Sequence, residues 1–342
     1  MAAENSSDQR PVIQAREILA KIERGEDVEY DGVIIEGDLD ISRLELPMVQ
    51  VERADLELRL GFPPVLKVVR SQITITNSEI HGTVNICNAH LQNQINFVKT
   101  QFRGGIVNFG GAVFSGDADF YGTRFSGDAD FYGAHFDGVA SFKRVKFTGD
   151  ADFYGAQFND GKADFWRAKF GGKADFYGAQ FSGDADFMLA EFTNRDAVFW
   201  MAKFDGEVDF GRAEFRGGDA NFHKVEFNGG KADFYGAQFS GHANFIEAKF
   251  KNGYADFRCT QFISGDAHFE KAQFTGGFAN FRRSKFTGGY ADFRNTKFSR
   301  EAYYWGSSIH WRVCRLQEDS IQRRICRIRI RPIFPGCIVQ RC

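Results

Sequence analysis

Between residues 97 and 298 the apolar and polar positions follow a short, regular beat. Phe falls at 97, 102, 109, 114, 120, 125, 131, 136 and onward to 293 and 298, giving eighteen pairs. The step within a pair is five residues, and between pairs it is six or seven. Two residues before most of these Phe stands a small residue, as in Ala118-Asp-Phe120, Ala151-Asp-Phe153 and Ala156-Gln-Phe158. In extended backbone, residues two apart share a face. The pattern therefore predicts that Ala and Phe point inward together while the Asp or Gln between them points out. Apolar residues five apart do not make a helical stripe, which needs spacings of three and four. The remaining solution is a solenoid of short sides and sharp corners, with Gly at the corners. On this reading Phe120, Phe125, Phe153, Phe158, Phe176, Phe181, Phe234 and Phe239 are core residues.

The typical unit, ADFYGAQFSGD, recurs with variations around all eighteen Phe pairs, so its pentapeptide half recurs tens of times. It resembles the A-[DN]-[LF]-x-x grammar of pentapeptide-repeat proteins, in a Phe-centred form with one or two extra residues after every second pentapeptide. The resemblance implies an all-β solenoid, a right-handed quadrilateral β-helix. Two units of 11 to 12 residues then make a coil of about 22 to 24, with two opposite corners swollen. A flatter coil with one unit per turn is the alternative.

Aliphatic residues carry the same grammar upstream, at Leu39-Asp-Ile41, Leu44-Glu-Leu46, Ala54-Asp-Leu56, Ile73-Thr-Ile75 and Val84-Asn-Ile86. Leu60 to Val69, with Pro63-Pro64, interrupts it and is expected to bulge as a loop. Ala302-Tyr-Tyr304 and Ser307-Ser-Ile309 make a last unit, so the array spans 30–309. Residues 11–29 are expected to cap its start. Within them 11–24 is predicted as an amphipathic helix with Pro11 in its first turn and Ile13, Ile18, Leu19 and Ile22 as its stripe. Residues 1–10 are expected to be disordered. Residues 310–342 lack the Phe period and all Lys, and hold four of the six Cys. Within them Ile321 to Ile325 reads as helical and Ile328-Arg-Ile330-Arg as a strand. Four readings stand for this basic tail: a cap, a homodimerising segment, a stretch without settled fold, or a shifted reading frame.

Composition narrows function mainly by exclusion. The chain has 342 residues, 39 of them Phe, with 37 Gly and 6 Pro, and 43% are hydrophobic. This is neither a collagen-like nor a disordered composition. No apolar run reaches the ~18 to 20 residues that span a bilayer. No secretory signal pattern opens the chain, so a cytoplasmic location with free thiols is expected. Residues 1–96 carry 9 basic and 16 acidic side chains, residues 97–300 carry 26 of each, and residues 301–342 carry 8 Arg against 3 acids. A neutral array offers no basic groove for nucleic acid and no acidic face that imitates it.

Candidate chemistry is thin. The outward Asp and Asn of the first half-unit, such as Asp130, Asp152 and Asp175, stack into a ladder that invites divalent cations. Their simpler role is to hydrogen-bond local backbone at turns. The residue after the first Phe is often aromatic, and a two-unit coil puts Tyr132, Tyr154, Tyr177 and Trp200 in one column, followed by His223. Such a column either binds a protein or sugar or simply shields the corner. Tyr121, Trp166 and Tyr235 fall in a second, mixed column. The His are scattered, and the Cys match no zinc spacing. Catalytic, metal and cofactor residues are therefore assigned to none. The expected function is a non-enzymatic solenoid that presents rigid flat faces to a protein partner. Two alternatives are a topoisomerase-binding DNA mimic and the soluble part of a membrane-associated relative, both drawn from the resemblance.

Overall fold

The computed structural model describes residues 10–53, 58, 61–304, 306–309, 314–315 and 326–327. Over these the chain winds into a solenoid of four parallel sheets with 13, 13, 12 and 12 strands. One coil shows the order. Ala118–Asp119 lies in sheet I, Arg124–Phe125 in sheet II, Ala129–Asp130 in sheet III and His135–Phe136 in sheet IV. The chain then returns to sheet I at Ala140–Ser141. Each strand pairs with its equivalent one coil later: Ala118 with Ala140, Ala140 with Ala163, and Val208 with Ala232. A coil is therefore two units, and the one-unit alternative does not hold. At ~4.8 Å per step the twelve or so coils make a rod about 55 to 60 Å long.

Both inward positions are filled as the pattern requires. Phe120, Phe125, Phe153, Phe158, Phe176, Phe181, Phe234 and Phe239 all lie at 2% exposure or less. The rings form four columns, one per sheet. Within a column they stack nearly parallel: Phe142 and Phe165 sit 4.9 Å apart at 3°. That spacing is the strand separation carried inward. Between the columns of sheets I and III the rings meet edge to face, as Phe165 and Phe176 do at 5.3 Å and 90°. This is the arrangement that ring quadrupoles favour. Ala fills the second inward position because two large rings already occupy each half-coil. Where Thr replaces it, the hydroxyl is satisfied. Thr123 Oγ1 donates to the Phe97 carbonyl at 2.7 Å, and Thr260 Oγ1 to that of Phe234 at 2.7 Å.

The first coils differ from expectation in two places. Helix α1 covers Ala15–Arg24, while Val12–Gln14 is a strand paired with Ile34–Glu36. Pro11 therefore precedes a strand, and Ile13 packs from that strand. The helix buries Ala15, Ile18 and Ile22 and ends on Gly25, whose φ of 70° lets its N–H reach the Ile22 carbonyl. Second, Val65–Val69 is a strand of sheet IV. It pairs in parallel with Ala89–Leu91 and antiparallel with Met48–Gln50. The two prolines end just before it, so the ladder keeps all its donors. Leu39–Asp40 joins sheet III as expected, but Ile41–Arg43 forms a 3-10 turn and Leu44 to Leu46 no strand.

At the other end Cys314–Arg315 pairs with Ala291–Asp292, and Cys326–Arg327 with Ala302–Tyr303. These two short strands add rungs to sheets III and I. The readings of residues 1–9, of Ala54 to Leu56, of Ile321 to Ile325 and of Ile328 to Arg331 lie outside the described residues.

Candidate interaction face

The corner between sheets III and IV repeats one local motif. In Asp130-Phe131-Tyr132-Gly133-Ala134, the Ala134 N–H bonds the Phe131 carbonyl at 3.0 Å to close a β-turn. Asp130 Oδ1 accepts the Tyr132 N–H at 2.8 Å and pins its start. Asp152, Asp175, Asn221 and Asn244 repeat this bond to the residue two ahead. The ladder of short side chains therefore serves the turns first.

Because each turn is the same, the residue after Phe projects in file. Phe62, Tyr132, Tyr154, Tyr177, Trp200 and His223 make one continuous aromatic column. Successive centroids lie 4.8, 5.1, 4.7, 5.3 and 5.4 Å apart. Phe62, buried at the base, enters from the Pro63-Pro64 excursion and was not legible from the repeat. Arg53 lies over its ring at 5.5 Å and donates to the Gly111 carbonyl at 2.6 Å. The three Tyr are half-buried along the column. Burial pushes the phenols of Tyr132 and Tyr154 up, with neighbouring Tyr and Asp adding to it, so both remain hydroxyl donors. At the upper end Trp200 is 38% exposed and Met201 45%. Beside them opens a shallow groove of about 220 Å³ lined by Met201, Lys203, Lys224, Glu226, Glu247 and Lys249. Glu226 accepts from Lys249 and Lys251 at 2.9 Å each, which pulls its carboxyl down to about 2.

The corner between sheets I and II behaves otherwise. Tyr121, Trp166 and Tyr235 are separated by other residue types and form no file. The guanidinium groups of Arg144 and Arg167 instead lie over the Trp166 ring, at 5.2 and 4.6 Å, and Arg258 covers Tyr235 at 5.4 Å. The carboxylates beside this corner are interleaved with amines. Lys162 bridges Asp164 at 3.0 Å and Asp186 at 2.9 Å.

On sheet III, Asp130, Asp152 and Asp175 follow one another in three consecutive coils. Asp152 is pushed up to about 6. Burial is the main cause. The Tyr154 N–H opposes it, the Asp175 and Asp130 charges add to it, and Lys173 opposes weakly. An acid raised above its unfolded value of 3.8 holds its proton better in the folded state. The fold then loses stability as pH rises from about 4 to 6 and bears the whole penalty above that. Asp152→Asn keeps the acceptor for the Tyr154 N–H, as Asn221 and Asn244 do at equivalent positions. The substitution is expected to stabilise the protein by about 1 to 2 kcal/mol at pH 7.5, after discounting for partial water contact. The gain should shrink as pH falls from about 6 to 4 and vanish only near pH 3, below the unfolded value of 3.8, where both states are protonated. Urea melts of both proteins from pH 3 to 7.5 check this.

A second set of side chains meets at the corner before sheet III. His242, Asp266 and His268 offer ligand atoms within 4.8 Å of one another. Linear spacing hides this group, because coils here are 24 residues long and their corners vary in length. Cys87 and Cys259 are free and half-buried.

A profile described as pentapeptide repeats (9 copies) matches residues 75–124, 120–169, 165–214 and 234–284. Solenoids of this kind are generally non-catalytic. No curated protein matches the chain. The matched stretches cover more than half of the sequence and coincide with the four-sided coils, and the chain belongs to the pentapeptide-repeat family.

Proposed function

We propose that this solenoid is a non-enzymatic interaction scaffold that docks a protein partner on the corner between sheets III and IV. One observation carries the reading: toward its upper end the aromatic column exposes Trp200, with Met201 next to it, beside a groove lined by Lys and Glu. Rigid aromatic anchors next to a polar rim are the composition of protein hot spots. The column is also stiff. Its rings are carried on turns fixed by backbone hydrogen bonds, so little side-chain entropy remains to be lost on binding.

The test uses the full chain as bait in extract of its native cell, beside the triple variant Tyr154→Ser, Tyr177→Ser and Trp200→Ser. Partners captured by the parent are expected to be lost from the variant, while far-UV circular dichroism stays unchanged. A variant that folds and captures the same partners overturns the assignment of this corner.

A further inference from the structure

His242 sits in the corner between sheets II and III, and Asp266 occupies the same corner one coil later. His268 follows Asp266 by two residues, on the outward face of the Ala267–His268 strand. One carboxylate oxygen, Asp266 Oδ2, lies 3.6 Å from His242 Nδ1 and 3.7 Å from His268 Nε2. The two imidazoles are near parallel, with centroids 6.1 Å apart at 26°. Three donor atoms thus surround one point on the surface of the rod.

We infer that His242, Asp266 and His268 bind a transition-metal dication, with zinc(II) as the best fit. Bonds of ~2.0 to 2.2 Å in a tetrahedron separate ligand atoms by about 3.3 Å. The two separations from Asp266 Oδ2 exceed that by a few tenths of an ångström, and all three donor atoms lie within 4.8 Å of one another. Two imidazoles and one carboxylate suit zinc and its neighbours, whereas calcium and magnesium take sets of oxygens. The three side chains are partly exposed, so water completes the coordination. The surrounding backbone holds the ligands in place. Asp266 Oδ1 accepts the Tyr290 N–H at 2.7 Å, which leaves Oδ2 free for the ion. The His242 N–H bonds Asp219 Oδ1 at 2.9 Å and fixes the corner that carries the ring.

His242 Nδ1 accepts the Asp266 N–H at 3.0 Å. In the neutral ring this places the lone pair on Nδ1 and the proton on Nε2. A small turn of the exposed ring transfers the lone pair from the amide to the ion, and water takes over the amide at this open corner.

The experiment titrates the full chain with cobalt(II) at pH 7.5 and follows its visible absorption, then displaces it with zinc(II). Nitrogen and oxygen ligation gives visible bands without the intense near-ultraviolet band of a thiolate, which separates this site from the cysteines. One equivalent of such a site is expected. His242→Ala and His268→Ala should each weaken it by at least about tenfold, since even outer partners of a metal ligand cost 10- to 100-fold. Asp266→Asn keeps an acceptor for the Tyr290 N–H and should weaken it too, whereas His90→Ala should not. Circular dichroism checks each variant, and His→Gln replacements serve if an Ala variant unfolds. Wild-type protein with no thiolate-free band, or His variants that bind cobalt as tightly as wild type, overturns the site.

Discussion

Phe176→Ala is expected to destabilise the solenoid by about 3 to 5 kcal/mol, the range for emptying a large buried aromatic position. The Phe176 ring touches six others. Phe153 and Phe199 stack on its two faces at 4.9 Å. Phe165 and Phe187 meet it edge to face at 5.3 and 5.4 Å, with Phe170 and Phe181 at 6.0 and 6.3 Å. None of these rings can follow the missing one inward, because each belongs to a ladder pinned by backbone hydrogen bonds. The cavity therefore stays open, and the cost lies toward the upper end of its range. Phe298→Ala makes the contrast. Its ring is only partly buried and, among the described residues, stacks only on Phe274, at 5.0 Å, so less than half that cost is expected. Because coils touch only their neighbours, the damage should be local. Hydrogen exchange is the right readout, with protection falling most over residues 153–199. Equal melting of Phe176→Ala and the parent would place that ring outside the core.

The interior was readable because its determinants are local and repeated. Ala118 and Phe120 share a face whatever the coil length, so the Phe period alone defines the inside. The coil itself needed long-range pairing: only the register of Ala118 with Ala140 shows that two units close one turn. Departures arise where one feature outweighs the pattern. Pro11 resembles a helix start, yet Val12–Gln14 gains more by extending a sheet beside Ile34–Glu36. Pro63 and Pro64 resemble a loop, yet the strand at Val65–Val69 begins only after them. The aromatic column at Tyr132, Tyr154, Tyr177 and Trp200 was visible once two units were taken per coil. Phe62 was not, because it reaches the column from a segment outside the repeat. The His242 corner was hidden for a related reason. Corners hold three or four residues, so neighbours across coils fall 22, 23 or 24 apart and no single spacing reveals them.

The corners also contain two kinds of glycine that the sequence does not distinguish, and a pair of substitutions separates them. A methyl group added at Gly206 would lie 2.5 Å from both the carbonyl carbon and oxygen of Gly183 and 2.7 Å from the Asp184 nitrogen. All three are backbone atoms of the coil below, and they cannot move without lengthening the ladder. Gly206→Ala is expected to cost about 2 to 3 kcal/mol, the upper range for overpacking. Gly155 meets nothing within 4 Å, and its requirement is a φ of +62°. Arg144, Arg167, Leu189 and Met201 adopt 53° to 60° at equivalent turn positions, so the turn tolerates a side chain there. Gly155→Ala should therefore cost about 1 kcal/mol, the left-handed penalty alone. Thermal melts of the two variants rank them, and the order reverses if corner glycines serve conformation only. The closeness at Gly206 follows from the Phe columns. Rings stacked at the strand spacing hold the coils one backbone thickness apart, and at the sharp corners only a residue without Cβ leaves room for the coil beneath.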